Sequence, residues 1–214
     1  LPMPPEARLL DALETIKADH DSSLAFRRSC GHGVCGSCAV RVNGRNMLAC
    51  RTLMKDLPHE IRIEPLRGFP VMRDLVVDMD GFFVKHDAVL PYLVNDEPLP
   101  ERERLQSQAE QERILEPIIC IMCGCCSSSC PIYGADGEYL GPSALLKAAR
   151  FISDSRDRAG GRRLDKVSGP DGLWRCHGIF ECVESCPKGI DITGRISGLK
   201  RLAVKKAFSG GKST

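Results

Sequence analysis

The sequence predicts an α+β chain, with a small mixed domain first and a helical domain after it. Three observations lead there. Asn43-Gly44, the strongest short hairpin signal, lies between Ala39-Val40-Arg41-Val42 and the residues leading to Cys50. A polar stretch at 95–112, Pro-rich at its start and poor in core-forming residues, separates a domain at 1–94 from one at 113–214. Beyond it the apolar residues recur at helical rather than alternating spacing.

Taken in order, Leu9, Leu10, Leu13 and Ile16 predict an amphipathic helix over 7–19. The hairpin at Asn43-Gly44 then folds Cys50 back toward Cys30, Cys35 and Cys38. Residues 61–77 read as a strand followed by extended chain. Residues 102–115 read as helix, and Gly141-Pro142-Ser143 opens another over 144–152, with proline in the first turn where its missing N–H is harmless. The charged, Gly-rich stretch 155–172 is expected to be a surface loop. A last helix, 193–208, carries Ile196, Leu199, Ala203 and Ala207 on one face.

Composition narrows the class. The chain has 214 residues, a formal net charge of +2 and 12 cysteines. A disulfide scaffold belongs to short secreted chains, and no apolar leader stands at Leu1. No apolar run approaches the ~18 residues that cross a bilayer. The short x2, x3 and x4 cysteine spacings hold a metal centre better than they form disulfides, and they imply a reducing compartment. After Asp191 only basic charges occur, Arg195, Lys200, Arg201, Lys205, Lys206 and Lys212. They form either a solvated helix face or a contact with anionic headgroups or an acidic partner.

The cysteines fall into three sets. Cys30-x4-Cys35-x2-Cys38-x11-Cys50 has plant-type [2Fe–2S] spacing, whereas structural zinc favours two x2 pairs. Gly31, Gly33 and Gly36 let backbone N–H groups approach the sulfurs. Cys120-x2-Cys123-x2-Cys126-x3-Cys130-Pro131 is the bacterial ferredoxin run, whose fourth cysteine serves the other cluster. Cys176-x5-Cys182-x3-Cys186-Pro187 is a second copy with Ile179 at its second ligand position. Cys120, Cys123, Cys126 and Cys186 then hold a [4Fe–4S] cluster. Cys130, Cys176 and Cys182 are left with three thiolates, which is a [3Fe–4S] set. Cys125 falls out of register and reads as a buried packing residue. Iron through these eleven cysteines is the expected metal.

Arg27-Arg28-Ser29-Cys30-Gly31-His32-Gly33-Val34-Cys35-Gly36-Ser37-Cys38, Leu48-Ala49-Cys50, Cys120-Ile121-Met122-Cys123-Gly124-Cys125-Cys126 and Cys186-Pro187-Lys188-Gly189 carry a resemblance. Across essentially the whole chain the sequence is similar to the iron–sulfur subunits of succinate dehydrogenase and fumarate reductase. The resemblance implies a plant-ferredoxin-like β-grasp domain and then an all-α bacterial-ferredoxin-like domain. It implies an electron relay between an FAD-containing flavoprotein subunit and quinone, with one or more membrane anchor subunits, haem-containing in some relatives. The chain is then a peripheral membrane protein on the cytoplasmic face of the inner (plasma) membrane, with no nucleic-acid partner and no catalytic residue of its own. Pro131 and His177 match the family's quinone side. His177 either hydrogen-bonds a cluster sulfur or a quinone oxygen, or fills space. Arg27 and Arg28 either offset the first cluster's charge or are solvated.

Two departures stand out. Relatives place a β-hairpin before the first helix, and little of it fits ahead of Glu6. The sequence is therefore expected either to start inside a longer chain or to have a partner cover the sheet edge. After Cys130, ubiquinone-linked relatives carry paired tryptophans where this chain has Ile132-Tyr133-Gly134-Ala135, which favours a menaquinone-type relative. Two competing functions are a free-standing shuttle ferredoxin and the iron–sulfur subunit of a thiol- or glycolate-linked oxidoreductase. The chain is neither small nor acidic, as a shuttle would be, and lacks the paired Cys-Cys-Gly motifs of the latter.

Overall fold

The computed structural model describes residues 1–210. Its first helix, α1 (Leu9–Thr15), continues as a π turn over Ile16–His20, so the expected 7–19 helix begins two residues late. Arg8 starts it, its backbone N–H donating to the Asp11 carboxylate at 2.8 Å. Leu9, Leu10 and Leu13 are buried in one apolar cluster with Val40, Val42 and Leu48 of a three-stranded antiparallel sheet whose middle strand is the first in sequence.

Strands β1 (Ala39–Val42) and β2 (Arg45–Leu48) pair from Ala39↔Leu48 to Val42↔Arg45. Asn43 and Gly44 take φ of 46° and 86°, the two positive values that a type I′ turn requires. The Asn43 side chain also accepts from Arg62 N–H at 2.7 Å, which fixes the chain running into β3 (Ile63–Glu64). Residues 71–77 are not plain extended chain. They form a second hairpin, β4 (Val71–Arg73) and β5 (Val76–Val77), turned at Asp74, whose carboxylate accepts from Ala25 N–H at 2.7 Å.

Helix α2 (Asp80–Asp87) falls inside the expected first domain but packs on the helix Gly141–Ile152 of the second. The expected 102–115 helix starts at 108 instead. Ser107 caps α3 (Gln108–Ile118) in a reciprocal box with Glu110, and this fixes where the helix can begin. Two short helices, α4 (Cys125–Ser129) and α5 (Pro131–Ala135), follow, and then α6 (Gly141–Ile152) with Pro142 in its first turn.

Half of the expected surface loop over 155–172 is a helix, α7 (Gly160–Ser168). Its charge misleads because Arg163 is an interior residue, 1% exposed and paired with a fully buried Asp157. Arg163 also donates to the carbonyls of Val89, Leu90 and Tyr92, binding the chain after α2 to α7. The chain closes through α8 (Glu181–Glu184) and α9 (Ile192–Gly210). Ile196, Leu199 and Ala203 are buried as expected, but Ala207 is exposed because α9 runs past the core after Ala203. One continuous apolar cluster joins both halves, with Phe69 bridging Phe82 and Tyr133 at centroid distances of 5.9 Å.

Candidate metal centres

The loop from Cys30 to Cys38 precedes β1, and Cys50 follows β2. Hairpin pairing therefore brings the two together, with Ala49 N–H donating to the Cys38 carbonyl at 3.0 Å. Gly31, Gly33 and Gly36 have φ of 67°, 69° and 74° and bend the loop so that its amides face sulfur. His32 and Val34 donate N–H to Cys30 Sγ at 3.3 and 3.5 Å, and Gly33 donates to Cys50 Sγ at 3.2 Å. The first two bonds hold the Cys30 thiol down at about 6. Burial pushes Cys38 up to about 12. Arg8 reaches this loop, donating to the Gly31 carbonyl at 2.9 Å. Arg28 pairs with Glu14 at 3.1 Å, and Arg27 lies 3.9 Å from Met72 Sδ.

The helical half holds two separate cavities. Cys120, Cys123, Cys126 and Cys186 line one, together with Ser143. Cys130, Cys176 and Cys182 line the other, with Ile179, Pro131, His177, Tyr139 and Thr193. The chain crosses over between them: Cys130 leaves its run for the far cavity, and Cys186 leaves its own for the near one. Left-handed Gly124 and Phe180, at φ 81° and 69°, turn the chain into α4 and α8 and aim the following cysteines inward. Cys125 is fully buried and lines neither cavity.

All 12 cysteines are free thiols. Burial pushes Cys120, Cys126, Cys130 and Cys182 upward, so without a bound positive centre they stay protonated. Among the described residues no three Cys, His, Asp or Glu side chains are placed to hold a single metal ion. The donor set fits clusters: thiols as ligands, amides directed at sulfur, and glycines where a Cβ would intrude.

Four features escaped the sequence reading. His86 is 2% exposed, and its Nε2 lies 2.9 Å from Ser143 Oγ beside the four-cysteine cavity. Thr193 Oγ1 lies 3.3 Å from Cys182 Sγ. Lys200 donates to the Cys176 carbonyl at 2.7 Å. Gly36 packs directly on Cys123. Gly36 lies inside the first cysteine motif, but its contact with Cys123, like the other three contacts, joins residues far apart in sequence and follows from no local pattern.

Comparison with known proteins agrees with this geometry. Residues 1–84 match the family model of a 2Fe-2S iron-sulfur cluster binding domain, and 118–190 that of a 4Fe-4S dicluster domain. The succinate dehydrogenase iron-sulfur subunit of Coxiella burnetii is 43% identical, over 94% of this chain and 86% of that one. That of Paracoccus denitrificans is 44% identical, over 92% and 77%. The fumarate reductase iron-sulfur subunit of Mycobacterium tuberculosis is 41% identical, over 97% and 85%. Among solved structures, a chain of the Mycobacterium smegmatis Sdh1 complex in the apo form superposes with a TM-score of 0.89 at 28% identity. The match covers 96% of this chain and 88% of that one. With this identity over nearly its full length, the chain belongs to the family of succinate dehydrogenase and fumarate reductase iron–sulfur subunits.

Proposed function

We propose that this chain, the electron-transfer subunit of a succinate dehydrogenase or fumarate reductase complex, holds three clusters in a row. Cys30, Cys35, Cys38 and Cys50 ligate [2Fe–2S]. Cys120, Cys123, Cys126 and Cys186 ligate [4Fe–4S], and Cys130, Cys176 and Cys182 ligate [3Fe–4S]. The observation that carries this is the crossing of Cys130 and Cys186 between the two cavities, which gives one four-thiol and one three-thiol wall. When bound, the clusters accept and pass on single electrons. The protein supplies their order, their ligand count and their shielding from water.

The two ends of the row differ. Cys35 is exposed in the first loop beside Val34 and Met72, which are also exposed, and this end faces the flavoprotein subunit, where succinate and fumarate interconvert. Exposed Ile179 and Phe180 line the three-cysteine cavity with Pro131 and His177. This end faces the membrane anchor and quinone, with menaquinone favoured because Ile132-Tyr133-Gly134-Ala135 stands where ubiquinone-linked relatives carry paired tryptophans, one of them near the quinone. No helix among the described residues is long and apolar enough to cross a membrane. The chain sits on the cytoplasmic face as a peripheral subunit.

Anaerobic iron and sulfide analysis with electron paramagnetic resonance of the intact complex tests this. About nine irons per chain and three distinct centres are expected. Zinc alone, or two centres of one type, would overturn it.

A further inference from the structure

We infer that Thr193 sets the reduction potential of the centre at Cys130, Cys176 and Cys182, as a positioning residue whose hydroxyl donates a hydrogen bond to the Cys182 sulfur. The inference rests on the ligand sets proposed above. Thr193 Oγ1 lies 3.3 Å from Cys182 Sγ, the residue is 4% exposed, and both side chains line the same cavity. While Cys182 is a thiol, either atom can donate. A thiolate bound to iron carries no proton, so the hydroxyl becomes the donor and the sulfur the acceptor.

The hydroxyl is held in place. Thr193 is the second residue of α9, ahead of the point where a helical threonine turns its hydroxyl back to a carbonyl one turn earlier in the helix. The turn beneath it is pinned from both sides. Asp191 accepts from Gly194 N–H at 2.8 Å, and its own N–H donates to Glu116 at 2.6 Å. Among the described residues the Cys182 sulfur is the only hydrogen-bond partner of the Thr193 hydroxyl. The four-cysteine cavity is also lined by a buried hydroxyl, that of Ser143, which is engaged with His86.

Adding one electron to the centre places more negative charge on its ligand sulfurs. A hydrogen bond to such a sulfur strengthens with that charge, and strengthens further in a site closed to water. Thr193 therefore favours the reduced form. No bond breaks and no proton leaves the threonine.

Redox titration of the intact complex, followed by electron paramagnetic resonance, tests this. Thr193→Val keeps the shape and removes the donor. It should shift the third centre's reduction equilibrium roughly five- to tenfold toward the oxidised form, about 40–60 mV lower at 59 mV per tenfold. The other two centres should not move, and Thr193→Ser should restore the potential. Pulsed resonance in D2O should show one exchangeable proton coupled to the third centre in wild type and Thr193→Ser, lost in Thr193→Val. Should Thr193→Val not retain the centre, Thr193→Ala removes the same donor with less bulk and carries the same expectation. An unchanged potential with the three-iron signal intact would overturn the inference, as would a wild-type centre without that proton. A wild-type protein with no three-iron signal would instead overturn the ligand sets.

Discussion

Gly36 of the first cysteine loop lies so close to Cys123 of the second that a Cβ on Gly36 would fall 2.8 Å from the Cys123 Cβ. The same atom would fall 2.9 Å from the Ile121 carbonyl oxygen, and φ at Gly36 is +74°. Gly36 thus brings the first cysteine loop directly against the run that lines the four-cysteine cavity. Gly36→Ala should cost roughly 2–4 kcal/mol, from a left-handed alanine and an overpacked backbone contact. It should also slow electron passage between the first two centres, read by rapid-freeze resonance after rapid reduction. An alanine variant with wild-type stability and transfer rate would mean that the loops do not need this approach.

The His86–Ser143 pair ties α2 to α6 and makes stability pH-dependent. Burial holds His86 down at about 4, against 6.5 for a free histidine. Between those values the unfolded chain binds a proton that the folded chain refuses, so acid favours unfolding. The stabilisation is complete above pH 6.5 and lost progressively as pH falls to 4, up to about 3 kcal/mol at 1.36 kcal/mol per unit. Urea unfolding of wild type against His86→Gln across this range reads it directly. The difference between the two should shrink as pH falls, and a constant difference would show that folding leaves the His86 titration unshifted.

Arg163 and Asp157 form an ion pair with no exposed side-chain surface. Removing one member leaves the other charge buried alone, so Arg163→Met and Asp157→Asn should each cost about 3–5 kcal/mol. Because Arg163 also holds the Val89, Leu90 and Tyr92 carbonyls, limited proteolysis of Arg163→Met should cut first within 89–94. Replacing both members by apolar residues should recover much of the loss.

Arg163 also marks where the sequence stops being legible. Asn43-Gly44 and Pro142 act over a few residues, and each produced its element. A buried arginine looks the same in sequence as a solvated one, so the charge of α7 predicts a loop. Helix α2 escaped because its apolar residues, Phe82 among them, show no stripe over so short a length. At the cavities, register foretells which cysteines share a wall, but the groups around them depend on tertiary contacts between residues such as His86 and Ser143. No local pattern encodes those.

The basic end of the chain divides in two, with Lys212 outside the described residues. Arg195 and Lys206 pair with Glu116 and Asp165, both at 2.5 Å, and Lys200 holds the Cys176 carbonyl. Arg201 and Lys205 have no ion-pair partner among the described residues. Lys200→Glu should therefore alter the third centre's resonance signal. Arg201→Glu with Lys205→Glu should leave all centres intact and weaken recovery on anionic vesicles by about 1 kcal/mol per charge, less at high salt. Equal recovery would leave this face simply solvated.

The ligand sets themselves are tested most directly at Ile179. It lines the three-cysteine cavity at the position where the other run has a cysteine, and it is half exposed, so a smaller polar side chain is tolerated there. In Ile179→Cys a fourth thiolate joins Cys130, Cys176 and Cys182. The oxidised protein should then lose its [3Fe–4S] resonance and, on reduction, gain a second [4Fe–4S] signal at lower potential. An unchanged three-iron signal in Ile179→Cys under excess iron and sulfide would contradict the assignment of residues 176–186.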